Sequence, residues 1–447
     1  MLRPALQLSH HTPWASVRRL VAIPAAHALG LMGLRSATVA VKFALTLFIA
    51  QYMSLADVGI YGIIASASAL APVLLGFGIA INLGREAARR GPEAITVPLL
   101  QYFGFLVPAY AGLCVISILI WPDKTPWLVL LTALLFLDHV QTEMYSLMTI
   151  LGAAYAANVA YFIRFAGWSI VYIPLAILNP HLRNLTATLV FWLGGCCVAS
   201  VVVAIFTRGW GWRRAAAAFP RSKIQLPHRH GSMALYVSDV ANVTFVYLDR
   251  YIVGLFLSPT LLGVYILYWS ITNALNNLIA ISVVQIQRGV LVQVAQNSSL
   301  SFNRAMARVA LSSSGLAIVL GLAASLMMYL VVPHLGRPVA TAYLPLIFVL
   351  GLGLVLRTQY EVVGISFYAY SRDDLILYSG VGVLAVALVL NLGLDRSLGI
   401  WGAGLALVLS YLIGAAARII MVARGFRVVA KPTPELALEP QGVERSG

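Results

Sequence analysis

The sequence predicts an all-α membrane protein of about 12 transmembrane helices in two six-helix lobes, and three observations carry that expectation. Of 447 residues, 60% are apolar and only 10% are charged, against roughly 25% charged in an ordinary soluble domain. Mean hydropathy is +0.88 over the whole chain, so no stretch is polar enough to be a soluble domain on a single anchor, and disorder is excluded by the same balance. The chain offers twelve windows long enough for the roughly 20 apolar residues that a spanning helix needs. An outer-membrane barrel would instead show alternating strands of ~10 residues. Finally, a segment in the first half, Tyr52-Met-Ser-Leu-Ala-Asp-Val-Gly-Ile-Tyr61, is echoed in the second by Phe256-Leu-Ser-Pro-Thr-Leu-Leu-Gly-Val-Tyr265.

The predicted spans of the first half are 26–52, 58–81, 95–120, 128–149, 159–178 and 186–206. After a basic stretch, the second half gives 233–257, 261–284, 307–332, 343–367, 375–393 and 400–418. The repeat links the first and second helix of each half, and its offset of 204 residues is the length of one six-helix unit. Six is even, so the two copies share orientation, as in transporters built from parallel repeats around a central site. The expected organisation is an N-terminus over 1–25, a first lobe over 26–206, a basic linker over 207–231, a second lobe over 232–418 and a tail over 419–447.

Lys and Arg placement predicts orientation, because short positive loops stay cytoplasmic. Alternate connections and the termini hold 21 of the 30 basic residues, whereas the other set holds four: Lys124, Arg183, Arg337 and Arg396. Both termini and the linker are therefore expected in the cytoplasm. The net charge of +15, which in a soluble protein would suggest nucleic acid, is accounted for by this bias. Arg18 and Arg19 precede an apolar run that continues to Tyr52, which fits an uncleaved first span better than a removable signal peptide. Cys114, Cys196 and Cys197 lie in apolar segments, and an odd count with an adjacent pair is no disulfide framework.

Five cations remain within spans: Arg35, Lys42, Arg164, Arg250 and Arg357. Each costs roughly 2.5–3.5 kcal/mol if it faces lipid at the bilayer centre. The economical placement is a water-filled cavity between the lobes, where they meet an anionic substrate. Arg35 and Lys42, seven residues apart, share one face of the first helix within about 20° and lie ~10 Å apart along its axis, a stripe suited to a diphosphate. Arg357 and Glu361 have the i, i+4 spacing of an internal ion pair. Asp249, Arg250 and Arg164 either face the cavity or snorkel to a surface. Asp138, with His139 beside it, and Glu143 either carry protons, as a buried acid in a coupled carrier does, or pair silently with Arg164 or Lys42. Asp239 is expected at the interface.

Other signals are few. His228-Arg-His230 lacks further ligands at metal spacing, so no metal is expected, and no glycine-rich phosphate loop precedes Lys-Ser/Thr, so neither ATP hydrolysis nor a cofactor is. Connections are too short to house a glycosyltransferase, ligase or polymerase site, and the protein is not expected to be an enzyme.

The chain resembles bacterial oligosaccharide flippases of the polysaccharide biosynthesis family, the Wzx type, within the multidrug/oligosaccharidyl-lipid/polysaccharide (MOP) superfamily. The resemblance rests on Ser54-Leu-Ala-Asp-Val-Gly-Ile-Tyr61, on Asp249-Arg-Tyr-Ile-Val-Gly254 followed by Leu262-Gly-Val-Tyr265, on Tyr370-Ser-Arg-Asp373 and on Gly399-Ile-Trp-Gly-Ala-Gly404. It implies a MATE/Wzx-like fold whose cationic cavity opens alternately to each face of the bacterial inner membrane. The implied substrate is a polyprenyl-diphosphate-linked oligosaccharide for O-antigen (lipopolysaccharide), capsule or exopolysaccharide, with a polymerase and glycosyltransferases as partners. Arg35, Lys42 and Arg357 then bind diphosphate or acidic sugar. Such proteins often carry a basic residue before the Ser54-type segment, where this chain has Gln51-Tyr52. The basic tail from Arg418 to Lys431 reads as an inner-face anchor. The alternatives are a cation-coupled drug exporter of the same superfamily, which calls for acids in the first lobe's cavity, and a membrane polymerase or ligase, which calls for a long periplasmic loop.

Overall fold

A computed structural model describes residues 25–219, 230–297, 299–370 and 372–424. The expected N-terminal segment, the His228-Arg229 part of the linker and the tail from residue 425 lie outside them. Twelve long helices dominate: α1 (Ala25–Tyr52), α2 (Leu55–Gly76), α3 (Pro92–Ile120), α4 (Thr125–Ile150), α5 (Ala154–Leu178), α6 (Leu185–Thr207), α7 (His230–Phe256), α8 (Pro259–Ile279), α9 (Ser299–Val331), α10 (Leu346–Ala369), α11 (Asp373–Leu398) and α12 (Ile400–Ala423). Ten of them are long and apolar enough to cross a membrane, and the protein is a multi-pass membrane protein. The other two, α7 and α8, have the length but are more polar: α7 carries Asp239, Asp249 and Arg250, and α8 carries Asn273, Asn276 and Asn277.

Two stretches expected as loops are helical. Residues Ile79–Arg90 form an amphipathic helix that buries Ile79, Leu83 and Ala87, one turn apart, and exposes Arg85, Arg89 and Arg90. Residues Ile286–Asn297 form another, and α9 then begins at Ser299 rather than near 307. In Ile79–Arg90 charge density favours a loop, yet an amphipathic helix carries its charges on one face. Trp212–Ala218 in the basic linker is also helical.

The repeat has a local cause and a tertiary one. Locally, its serines cap helices: the Ser54 hydroxyl accepts from the Asp57 backbone N–H at 3.0 Å and donates to the Asp57 carboxylate at 2.6 Å, while the Ser258 hydroxyl accepts from the Leu261 N–H at 3.3 Å. Such caps satisfy donors that a helix start leaves open. At the tertiary level the two copies pack against one another. A Cβ on Gly59 would stand 2.8 Å from the Pro259 carbonyl oxygen, and one on Gly263 would overlap the Leu55 carbonyl outright. Leu55 and Pro259 are themselves equivalent positions of the repeat, so the contact is reciprocal about a pseudo-two-fold axis.

This crossing of α2 and α8 closes one end of the molecule. A single buried apolar cluster runs through both lobes there, joining Ile49, Val58 and Trp192 to Tyr265, Met328 and Ile347. Arg337 adds a polar clasp from the second lobe to the first: its guanidinium donates to the carbonyls of Ala50 (2.8 Å), Gln51 (3.3 Å) and Met53 at the C-terminus of α1, where the helix dipole favours a cation. Toward the other end the core divides into separate clusters, one around Tyr102 and Met148 in the first lobe and others around Tyr360 and Phe302 in the second. The lobes are thus joined at one end and part on one side toward the other, where the Tyr236 hydroxyl of α7 still donates to the Leu74 carbonyl of α2 at 2.9 Å.

Candidate functional site

Between the parted lobes lies a cavity of about 690 Å³, within the range of pockets that hold small ligands. Its wall runs from Arg250, Tyr61 and Ile266 at the closed end to Leu31, Thr149 and Ala280. These last residues sit where α1, α4 and α8 begin or end, so the cavity reaches the end that carries the basic amphipathic helix Ile79–Arg90. Arg35, Lys42 and Arg250 line it, and none of the lining residues is acidic.

The three cations differ in what already holds them. On half-buried Arg35, Nε donates to Asn158 Oδ1 at 2.6 Å and Nη2 to the Tyr145 hydroxyl. The guanidinium also lies over Tyr161, 4.2 Å from the ring centre. Lys42 has its Nζ over the Phe165 ring at 4.6 Å and no ion-pair partner among the described residues. Arg250 is only 3% exposed and stacks on Trp269, 3.3 Å from the ring centre. Its Nη1 donates to the Ser66 hydroxyl, but Nε and Nη2 have no hydrogen-bond partner; Asp249 Oδ1 stands 3.8 Å from Nε, in ion-pair range without a hydrogen bond. Asp249 is instead engaged by the Tyr265 hydroxyl at 2.6 Å and the Arg250 backbone N–H at 2.8 Å. The expectation that Arg250 and Asp249 either snorkel or face the cavity resolves toward the interior: both are buried.

Arg164 and Arg357, grouped with the substrate cations in the sequence, do not line this cavity. Arg164 is buried 3.1 Å from Asp138, without hydrogen-bond alignment between those two atoms, and its Nη1 donates to the Asp138 carbonyl at 3.1 Å. Packing of α5 on α4 turns it inward, away from either surface. Arg357 forms the expected i, i+4 pair with Glu361 at 3.0 Å and donates to Asn273 Oδ1 at 3.0 Å. Asn273 does line the cavity, so Arg357 stands one residue behind the wall. Asn276 on α8 also donates to Glu361, at 3.1 Å. Glu143 is buried beside His139 in the first lobe, off the cavity.

The spacing of charges alone missed several residues. Aromatic rings of Tyr145, Tyr161, Tyr247 and Trp269 and amides of Asn158 and Asn277 share the wall with the cations. The polarity of α8, unusual for a span, was the available signal. Arg418, read as the start of a tail anchor, lies inside α12 and is buried. Its three nitrogens donate to Ser379 Oγ (3.1 Å), the Tyr360 carbonyl (2.7 Å) and the Tyr360 hydroxyl (2.8 Å), which makes it a staple of the second lobe. Asp395 near the end of α11 is buried with neither carboxylate oxygen bonded.

No protein-family profile matches the sequence, and no curated protein matches it. Solved structures share its architecture. An inward-facing conformation of a multidrug resistance MATE family transporter of the MOP superfamily superposes with a TM-score of 0.60 at 14% identity, covering 90% of this chain and 96% of that one. The outward-facing conformation of such a transporter gives 0.57 at 14% identity, over 89% and 94%. The lipid II flippase MurJ, in an inward closed conformation, gives 0.65 at 12% identity, over 86% of each chain. At these identities the likeness establishes the fold, a MATE-like pair of six-helix lobes.

Proposed function

We propose that the protein is a flippase of the bacterial inner membrane. It moves polyprenyl-diphosphate-linked oligosaccharide repeat units from the cytoplasmic to the periplasmic face, for O-antigen, capsule or exopolysaccharide assembly. The observation that carries this reading is the inter-lobe cavity lined by Arg35, Lys42 and Arg250 and by no acid. Such a wall attracts a diphosphate and repels the organic cations that an acid-lined exporter takes up. The fold it shares with MurJ and with MATE transporters supports movement across the membrane.

The residues divide the work. Lys42 on α1 and Arg250 on α7 come from opposite lobes to one cavity wall, and Arg250 keeps Nε and Nη2 without a hydrogen-bond partner among the described residues. A diphosphate between them draws the lobes together from both sides. Arg35, already bonded to Asn158 and Tyr145, adds field nearer the mouth, while aromatic rings and amides take the sugars and the polyprenyl chain stays in lipid. With the basic end in the cytoplasm, the cavity faces the side where the repeat unit is assembled. Translocation opens the α2–α8 crossing and closes the basic end, and no covalent step is required.

The test is deletion of the gene, followed by labelling of the lipid-linked repeat unit with a lectin that cannot cross the inner membrane. Complete, unpolymerised units confined to the cytoplasmic face are expected. Units that reach the periplasmic face unpolymerised would overturn the flippase reading in favour of a polymerase.

A further inference from the structure

Of the acids within spans, three face an arginine, Asp138 with Arg164 at 3.1 Å, Asp249 with Arg250 at 3.8 Å and Glu361 with Arg357 at 3.0 Å, while Asp395 has neither carboxylate oxygen bonded among the described residues. Arginine does not deprotonate in proteins, so those charges are permanently answered. Glu143 alone faces an imidazole, which can gain or lose a proton where a guanidinium cannot. His139 Nε2 lies 3.6 Å from Glu143 Oε1 on the next turn of α4, and both residues are buried.

His139 is fully enclosed, with a tyrosine hydroxyl at each ring nitrogen: Tyr102 Oη 2.8 Å from Nε2 and Tyr110 Oη 3.0 Å from Nδ1. The Tyr102 hydroxyl is also 3.4 Å from Glu143 Oε1, as a donor. A hydroxyl both donates and accepts, so this arrangement satisfies the ring in either protonation state. With a neutral ring, Tyr102 donates to Nε2 and Nδ1–H donates to Tyr110. With a charged ring, both N–H groups donate to tyrosine oxygens and the Tyr102 proton turns to Glu143. Rotation of one hydroxyl exchanges the two states, and the carboxylate that is costly to bury alone gains a counter-charge. The change of state takes up one proton from water, and no other bond changes.

We propose that His139, with Glu143 as its counter-charge and Tyr102 as the hydroxyl between them, is a proton-binding site of the first lobe. It is separate from the cavity and stands whatever the cavity carries. The other groups facing it are accounted for. Among the described residues α3 presents Tyr102 and Tyr110, Asp138 on α4 is held by Arg164 of α5, and the arginines of helix Ile79–Arg90 are exposed. α2 presents Gly76, whose Cβ would stand 3.2 Å from Tyr102 Oη, 3.6 Å from Glu143 Oε1 and 3.9 Å from His139 Nε2. The end of α2 therefore rests on the site. Two residues earlier, the Leu74 carbonyl accepts from the Tyr236 hydroxyl of α7 at 2.9 Å, so the same stretch also touches the second lobe. Proton binding is placed where it shifts one lobe against the other.

The experiment is pH-difference infrared spectroscopy of the full-length protein in nanodiscs, without substrate and with ring-labelled histidine, between pH 8 and 5. The wild type is expected to show an imidazole-to-imidazolium change that is absent from His139→Gln. In Glu143→Gln its midpoint falls by at least one pH unit, because the charged ring has lost its partner. A wild-type spectrum identical to that of His139→Gln overturns the proposal, and so does an unchanged midpoint in Glu143→Gln. Should His139→Gln fail to accumulate, Glu143→Gln and Tyr110→Phe carry the test, and an unmoved midpoint in Glu143→Gln still overturns it.

Discussion

Replacing Arg250 by glutamine tests the cavity where its geometry is most specific. Nε and Nη2 form the side-on edge of the guanidinium, which matches two oxygens of one phosphate group, and both lack a partner although the side chain is buried. Charge-assisted hydrogen bonds contribute ~1.5–3 kcal/mol each. Losing two, with the amide of Gln recovering part, costs about 3 kcal/mol, or about 100-fold in Kd. Arg35 has already committed Nε and Nη2 to Asn158 and Tyr145, so Arg35→Gln removes field rather than free donors and costs about 1 kcal/mol, roughly fivefold. Arg250→Lys, which keeps charge but loses the fork, falls between. Asp249 keeps the Tyr265 hydroxyl and the backbone N–H of residue 250 in each variant but loses its counter-charge in Arg250→Gln, which should lower the melting temperature, so Arg250→Lys, which keeps the charge, is the folded comparison. The assay is quenching of tryptophan fluorescence by a short-chain prenyl diphosphate, Trp269 lying against Arg250, with melting temperature as the control. Binding by Arg250→Gln within twofold of wild type, or a larger loss in Arg35→Gln, refutes the reasoning.

Other expectations follow from the same geometry. Arg337→Gln releases three carbonyls of α1 and shifts the lobes toward parting at that end; a cysteine at Met53, in a background lacking Cys114, Cys196 and Cys197, should react faster with a membrane-impermeant thiol reagent, and an unchanged rate counts against the clasp. Gly263→Val drives a side chain into the Leu55 carbonyl; the crossing cannot close, and labelling of the same cysteine should become constitutive. Asp138→Asn strands Arg164 without a counter-charge in the first lobe and should cost about 3–5 kcal/mol. The double replacement with Arg164→Gln is expected to recover part of the lost melting temperature, and a double variant no more stable than the single speaks against a buried pair. Asp395→Asn removes a buried charge that has no bonded partner and should raise the melting temperature; a fall shows that the carboxylate is answered by something unseen.

What could be read from sequence was set by distance along the chain. Spans, the two-fold organisation and the Arg357–Glu361 pair depend on neighbours within one helix or on a repeated string, and all are visible as period or spacing. Arg35 and Lys42 lie on one helical face, so a common wall followed from their interval of seven. The role of Arg164 did not follow, because its partner Asp138 is on another helix and the approach depends on how α5 packs on α4. Arg250 looked peripheral near the end of its span, yet the crossing of α2 and α8 encloses that level. The helix Ile79–Arg90 was legible in principle, since Ile79, Leu83 and Ala87 recur every four residues, but its charge drew the reading toward a loop. Nothing local revealed that the two repeat segments touch.

That reciprocal contact, Gly59 on Pro259 and Gly263 on Leu55, has the form of an isologous interface, in which residue i of one subunit meets residue j of the other and j meets i. Because both copies of the seam lie in one chain, the halves differ where they face the cavity, Arg35 and Lys42 coming from the first and Arg250 from the second, an asymmetry that two identical subunits cannot encode.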